Sequence, residues 1–87
     1  MRLAKYVRFR EEKFGGVLFE TRSEKVFTLN ATGAAVVREI AAGAAEDEIA
    51  GRLRRRYDDP RGAIDGEVAE LLADLRARGL VEDAPRG

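Results

Sequence analysis

The chain has 87 residues, of which 45% are apolar and 37% charged, a mix that suits one small folded domain rather than a disordered segment. Sixteen basic and sixteen acidic residues cancel, so no global field draws the chain to nucleic acid or to an anionic membrane. Cysteine and histidine are both absent, which excludes disulfides, thiolate metal sites, cysteine nucleophiles, the commonest general base and the commonest zinc ligand.

No run is long enough to span a bilayer, and Met1-Arg2-Leu3-Ala4-Lys5 lacks the apolar centre of a signal peptide. The expectation is a cytoplasmic protein of one domain over 1–87, ordered over about 5–82. In Lys5–Arg10, Val7 and Phe9 alternate with Tyr6, Arg8 and Arg10, a period of two that predicts a first strand with one wet face. Glu11-Glu12-Lys13 reads as a polar break. Gly15-Gly16 suits a turn or bulge and is too short for a phosphate loop.

A second strand is predicted over Val17–Thr21, rich in β-branched and aromatic residues. Arg22-Ser23-Glu24 is the polar connection to a third strand, Lys25–Leu29, with Phe27 and Leu29 on one face and Val26 and Thr28 on the other. Short connections favour an antiparallel meander. Asn30 is a good helix N-cap, a simpler use of Asn30-Ala31-Thr32 than glycosylation. The first helix is predicted over Ala31–Ala42, with Ala34, Val37 and Ala41 on one face, Val36 and Ile40 beside them, and Gly43 as the stop.

The second helix is predicted over Ala45–Tyr57, with Ile49, Leu53 and Tyr57 at intervals of four. Acids in its first turn and arginines towards its end match the helix dipole. The arginine run reads as a solvated face, and Asp58-Asp59 as turn residues. The third helix, Ala63–Arg78, carries the stripe Ile64, Val68, Leu71, Leu72 and Leu75. Gly79 ends it, Leu80-Val81 continues as a short extended segment, and 82–87 is a frayed tail. The order βββααα predicts an α+β, winged-helix-like fold: a three-stranded antiparallel sheet followed by three helices.

Three stretches carry a family resemblance. Leu29-Asn30-Ala31-Thr32-Gly33-Ala34-Ala35 followed by Val36-Val37-Arg38-Glu39-Ile40 resembles the opening helix motif of the PqqD family. Glu48-Ile49, Leu53 and Arg56-Tyr57 resemble its middle helix, and Ile64 through Leu80 its closing helix. The resemblance covers about residues 6–82. Phe14-Gly15-Gly16 is similar to PqqD-like chaperones outside the pyrroloquinoline quinone pathway, the mycofactocin type among them, so the likeness is to the family and not to one pathway.

The resemblance implies a recognition element for ribosomally made, modified peptides: no enzyme, no cofactor, no metal. Its partners would be the leader of a precursor peptide and a modifying enzyme, with a radical SAM enzyme the implied class. It further implies that the leader adds as a strand along Glu24, Lys25, Val26, Phe27, Thr28 and Leu29. The facing groove would be edged by Glu67, Val68, Leu71, Leu72 and Asp74. Glu67, Glu70 and Asp74 are available to basic leader residues.

An exposed strand edge fits that role, because its unpaired N–H and C=O groups accept an added strand whatever its side chains. Other readings compete. The same edge could be closed by a second copy in a homodimer, and Val68, Leu71 and Leu75 could belong wholly to the core. A DNA-binding winged helix needs donors on its second motif helix. Here that helix opens with Asp65, Glu67 and Glu70, which opposes phosphate contact. A bare regulatory subunit of a larger enzyme would bind a protein and no free peptide.

Overall fold

Strands form where apolar and polar residues alternate, and helices where the period lengthens. The computed structural model describes residues 1–83, so the expected frayed tail lies outside the described residues from 84 onward. The elements are β1 (Arg2–Leu3), β2 (Val7–Glu12), β3 (Gly15–Glu20), β4 (Lys25–Leu29), α1 (Ala31–Ala41), α2 (Glu46–Arg56), α3 (Ile64–Ala77) and β5 (Val81–Glu82). An antiparallel sheet in the order β2-β3-β4 is followed by three helices, as the sequence predicts.

Three differences have physical causes. β2 begins at Val7, because Lys5 and Tyr6 form a turn in which the Val7 amide donates to Ala4 O at 3.0 Å. It continues through Glu11 and Glu12, where the sequence predicts a break. These two face Gly16 and Gly15 across the ladder, and their carboxylates pair with Arg38 and Arg10. The third difference is a second small sheet. Arg2 and Leu3 pair with Glu82 and Val81, the Ala4 amide donates to Leu80 O at 2.9 Å, and Arg2 pairs with the Glu82 carboxylate at 2.8 Å. Order therefore begins before residue 5, and Glu82 is part of a strand rather than of a tail. Two-residue strands have no periodicity to read.

The β3–β4 turn is held from within. The Glu20 carboxylate accepts the Arg22 and Ser23 amides at 3.0 and 2.8 Å and the Ser23 hydroxyl. Glu24 takes a left-handed φ of 60° and donates its amide to Glu20 O at 2.8 Å. The Ser23 hydroxyl, with the two amides, lowers the Glu20 pKa from 4.5 to about 2. A depressed carboxylate contributes to folding above its unfolded value and loses that contribution as pH falls through the folded one. The turn is therefore expected to stay ordered on acidification through pH 4 and to loosen towards pH 2. In E20Q the amide exchange of Arg22 and Ser23 should be fast already at neutral pH. Equal exchange in both proteins would remove the carboxylate from this role.

Asn30 caps α1, its side chain accepting the Gly33 amide at 2.8 Å. α1 lies between the sheet and the other two helices. It buries Ala34, Ala35, Val36, Val37 and Ile40, a wider face than the expected stripe, while Ala41 is exposed. Glu39 is buried too, with Arg52 donating to it at 3.1 Å and Arg56 in an ion pair with it at 3.5 Å. A buried carboxylate needs such partners, so part of the arginine run has a structural task. α2 buries Ile49 and Leu53 but leaves Tyr57 exposed. α3 has no capping side chain of its own at Ala63. Asp59 serves instead, accepting the Ala63 and Ile64 amides at 2.8 and 3.2 Å.

Candidate functional site

Among the described residues β4 pairs with β3 alone, so its other edge is open. β2 is the opposite edge of the same sheet, but the two edges differ. β2 reads Val-Arg-Phe-Arg-Glu-Glu, and charges along an edge discourage pairing with another chain. β4 reads Lys-Val-Phe-Thr-Leu, with charge at its first residue alone. Along such a strand every second residue turns its amide and carbonyl away from the existing partner.

Facing this edge is α3. Between them lies a groove of about 360 Å³ at the end nearer α1, walled by Phe27, Thr28 and Leu29 on one side and Glu67, Glu70, Leu71 and Asp74 on the other. A second hollow of about 610 Å³ continues beside Lys25, Val26 and Phe27 towards Arg78 and Gly79. Phe27 borders both hollows, and the Arg78 guanidinium stacks on its ring at 4.8 Å. Arg78 also donates from Nε to Asp74 Oδ1 at 3.1 Å, tying the last turn of α3 together.

The structure sorts the residues that the resemblance singled out. Lys25, Val26, Phe27, Thr28 and Leu29 all lie on β4. Glu24 lies in the preceding turn, its amide already taken by Glu20, so it is not part of the extended edge. Leu29 is buried and Phe27 half-buried, whereas Val26, on the other face, is 60% exposed. On α3, Glu67, Leu71 and Asp74 reach the groove. Val68 and Leu72 do not: each is only 3% exposed and belongs to the core. The five apolar positions of the helix stripe thus divide, with Leu71 alone half-buried and facing the groove.

Sequence reasoning missed the contribution of α1, whose first turns bring Thr32, Gly33 and Val36 to the floor. The junction Leu29-Asn30 was the available signal, since a helix starting directly after a strand must lie against that strand's end. Arg78 was missed as well. Its spacing of four from Asp74 is the i, i+4 pair that would have placed it beside the same wall.

Chemically, the site is an open channel with an apolar floor, one free backbone edge and a charged rim. Among the described residues, no group of three or more Asp or Glu side chains is placed to hold a metal ion, and no helix is long and apolar enough to cross a membrane. Three of the four arginines of α2 are paired: Arg52 and Arg56 are on Glu39, and Arg54 pairs with Asp65.

Comparison with known proteins gives two positive findings. The family model for coenzyme PQQ synthesis protein D (PqqD) matches residues 15–81. Among solved structures, the fold is similar to TbiB1 in complex with the TbiA(beta) leader peptide, with a TM-score of 0.83 at 20% identity over 99% of this chain and 100% of that one. It is also similar to a lasso peptide synthetase B1 complexed with the leader peptide, with a TM-score of 0.78 at 26% identity over 94% of this chain and 96% of that one. No curated protein matches the sequence.

Proposed function

The chain belongs to the PqqD family, and from that premise we propose that it is a leader-peptide recognition protein. The leader of a ribosomally made precursor pairs as an added strand with β4 and lies in the channel between β4 and α3. The observation that carries this reading is the open edge of β4, low in charge and set directly beside a groove lined by Phe27, Leu29 and Leu71. Main-chain hydrogen bonds supply affinity in such an addition, and side-chain hollows supply specificity. Both similar structures hold a leader peptide, which supports the same use of the fold here.

The role is non-catalytic. The protein holds the leader in the cytoplasm, where the precursor is made, and presents the remainder to a modifying enzyme. The resemblance noted from the sequence supports a radical SAM enzyme in that role. The competing DNA-binding reading finds little support: α3 shows Asp65, Glu67 and Glu70 to solvent, and Arg52, Arg54 and Arg56 of α2 are paired with carboxylates.

The test is a titration of ¹⁵N-labelled protein with the leader half of the precursor encoded beside it. Saturable shifts are expected along Lys25–Leu29 and on the groove side of α3. Shifts with duplex DNA, falling steeply with salt, and none with the leader would overturn the reading. Concentration-dependent broadening of β4 without added peptide would instead mark an edge closed by a second copy.

A further inference from the structure

The channel is electrically polarised along its length. At the α1 end stand Glu67 and Glu70, both exposed and neither in an ion pair among the described residues. At the other end stands Lys25, likewise unpaired among the described residues, with Arg22 and Arg78 around the same hollow. Arg22 is shared between the Tyr6 ring, 4.1 Å away, and a long 3.5 Å contact to Glu20, a carboxylate already held by the turn. Between the two ends Arg78 lies across Phe27 and divides the channel.

β4 sets the spacing between these ends. Lys25, Phe27 and Leu29 share one face of the strand by its period of two, and Lys25 to Leu29 spans about 14 Å. A strand laid beside β4 presents its own side chains to the channel at positions i, i+2 and i+4. Antiparallel addition is the more stable pairing, and it puts the N-terminal end of the incoming segment beside Leu29, Glu67 and Glu70.

Resting on the leader-binding reading, we propose that the channel selects a leader segment of the form basic-x-apolar-x-acidic, read from its N-terminus. The basic residue meets Glu67 and Glu70. The apolar residue lies on Phe27 and Leu71. The acidic residue, four positions after the basic one, meets Lys25 and Arg78. Arg78 is a displaceable partition: its guanidinium leaves Asp74 for the leader carboxylate, exchanging one carboxylate partner for another. Opposite charges at the two ends fix direction and register, which main-chain pairing alone leaves weakly specified.

The experiment uses two synthetic peptides with identical threonine- and valine-rich flanks, one centred on Lys-Thr-Leu-Thr-Glu and the other on Glu-Thr-Leu-Thr-Lys. Each is titrated into the ¹⁵N-labelled protein. The first is expected to bind about fivefold to tenfold more tightly at low salt, as two exposed ion pairs allow, and to move the Arg78 Nε resonance. The triple variant Lys25→Glu, Glu67→Lys, Glu70→Lys, all at exposed positions, should reverse the preference. Equal binding of both peptides in the channel, or a preference that the triple variant leaves unchanged, would overturn the charge order while the leader reading stands. No groove shifts with either peptide would overturn the charge order. The encoded leader, titrated alongside, decides the leader reading separately.

Discussion

Replacing Gly15 by alanine is expected to destabilise the protein by about 3 kcal/mol, from overpacking and a disfavoured backbone conformation together. Gly15 opens β3 with φ at +148°, a value that glycine adopts freely and L side chains rarely do. A Cβ there would overlap Leu29 O and lie 2.5 Å from Asn30 O. These are backbone atoms at the junction of β4 and α1, so no side chain can rotate away to make room. For a domain whose whole stability is on the order of 5–15 kcal/mol, the change should lower Tm by about 10–20 °C. It also acts on the site, because Leu29 and Asn30 border the channel. Gly51→Ala is the control. It lies inside α2, where a Cβ would meet nothing nearer than Arg54 Nη2 at 3.6 Å, and it should raise stability by about 0.5–1 kcal/mol. Thermal unfolding of both variants followed by circular dichroism decides the matter. A Gly15→Ala protein as stable as the parent would mean that β3 and the β4–α1 junction are not in close contact in solution.

That contact also shows why some of the fold was legible in the sequence and some was not. The three long strands and three helices announce themselves by period, and Asn30 and Gly43 mark the ends of α1 by chemistry that acts within one turn. Features that depend on where the folded backbone brings a side chain left no such mark. The Arg2–Glu82 ladder joins the two ends of the described chain. Glu11 and Glu12 look like a break until Arg38 and Arg10 are placed beside them. Asp59 looks like a turn residue until its carboxylate is seen on the amides that open α3. The site follows the same division. Strand addition uses main-chain groups, so β4 is marked by its place in the order of elements, by the family resemblance and by its low charge rather than by a side-chain motif of its own. A stripe of five apolar positions on α3 does not say which of them the sheet covers.

Leu71 and Leu75, four residues apart on α3, should therefore behave oppositely under substitution. Leu75 is wholly buried, and Leu75→Ala should cost about 2–5 kcal/mol of stability through the cavity it leaves. Leu71 is half-buried and faces the channel beside Phe27 and Val36. In Leu71→Arg the new guanidinium falls one turn after Glu67, an i, i+4 spacing that favours pairing, and its head can stay in water. Stability should then change by no more than about 1 kcal/mol. Leader affinity, by contrast, should fall by about tenfold to a hundredfold, since an apolar anchor loses its floor and meets a charge. Leader binding by fluorescence anisotropy, with unfolding midpoints measured on the same samples, separates the two effects. If Leu71→Arg bound the leader as tightly as the parent, the channel between β4 and α3 would not be where the leader lies, and the open edge of β4 would need another partner.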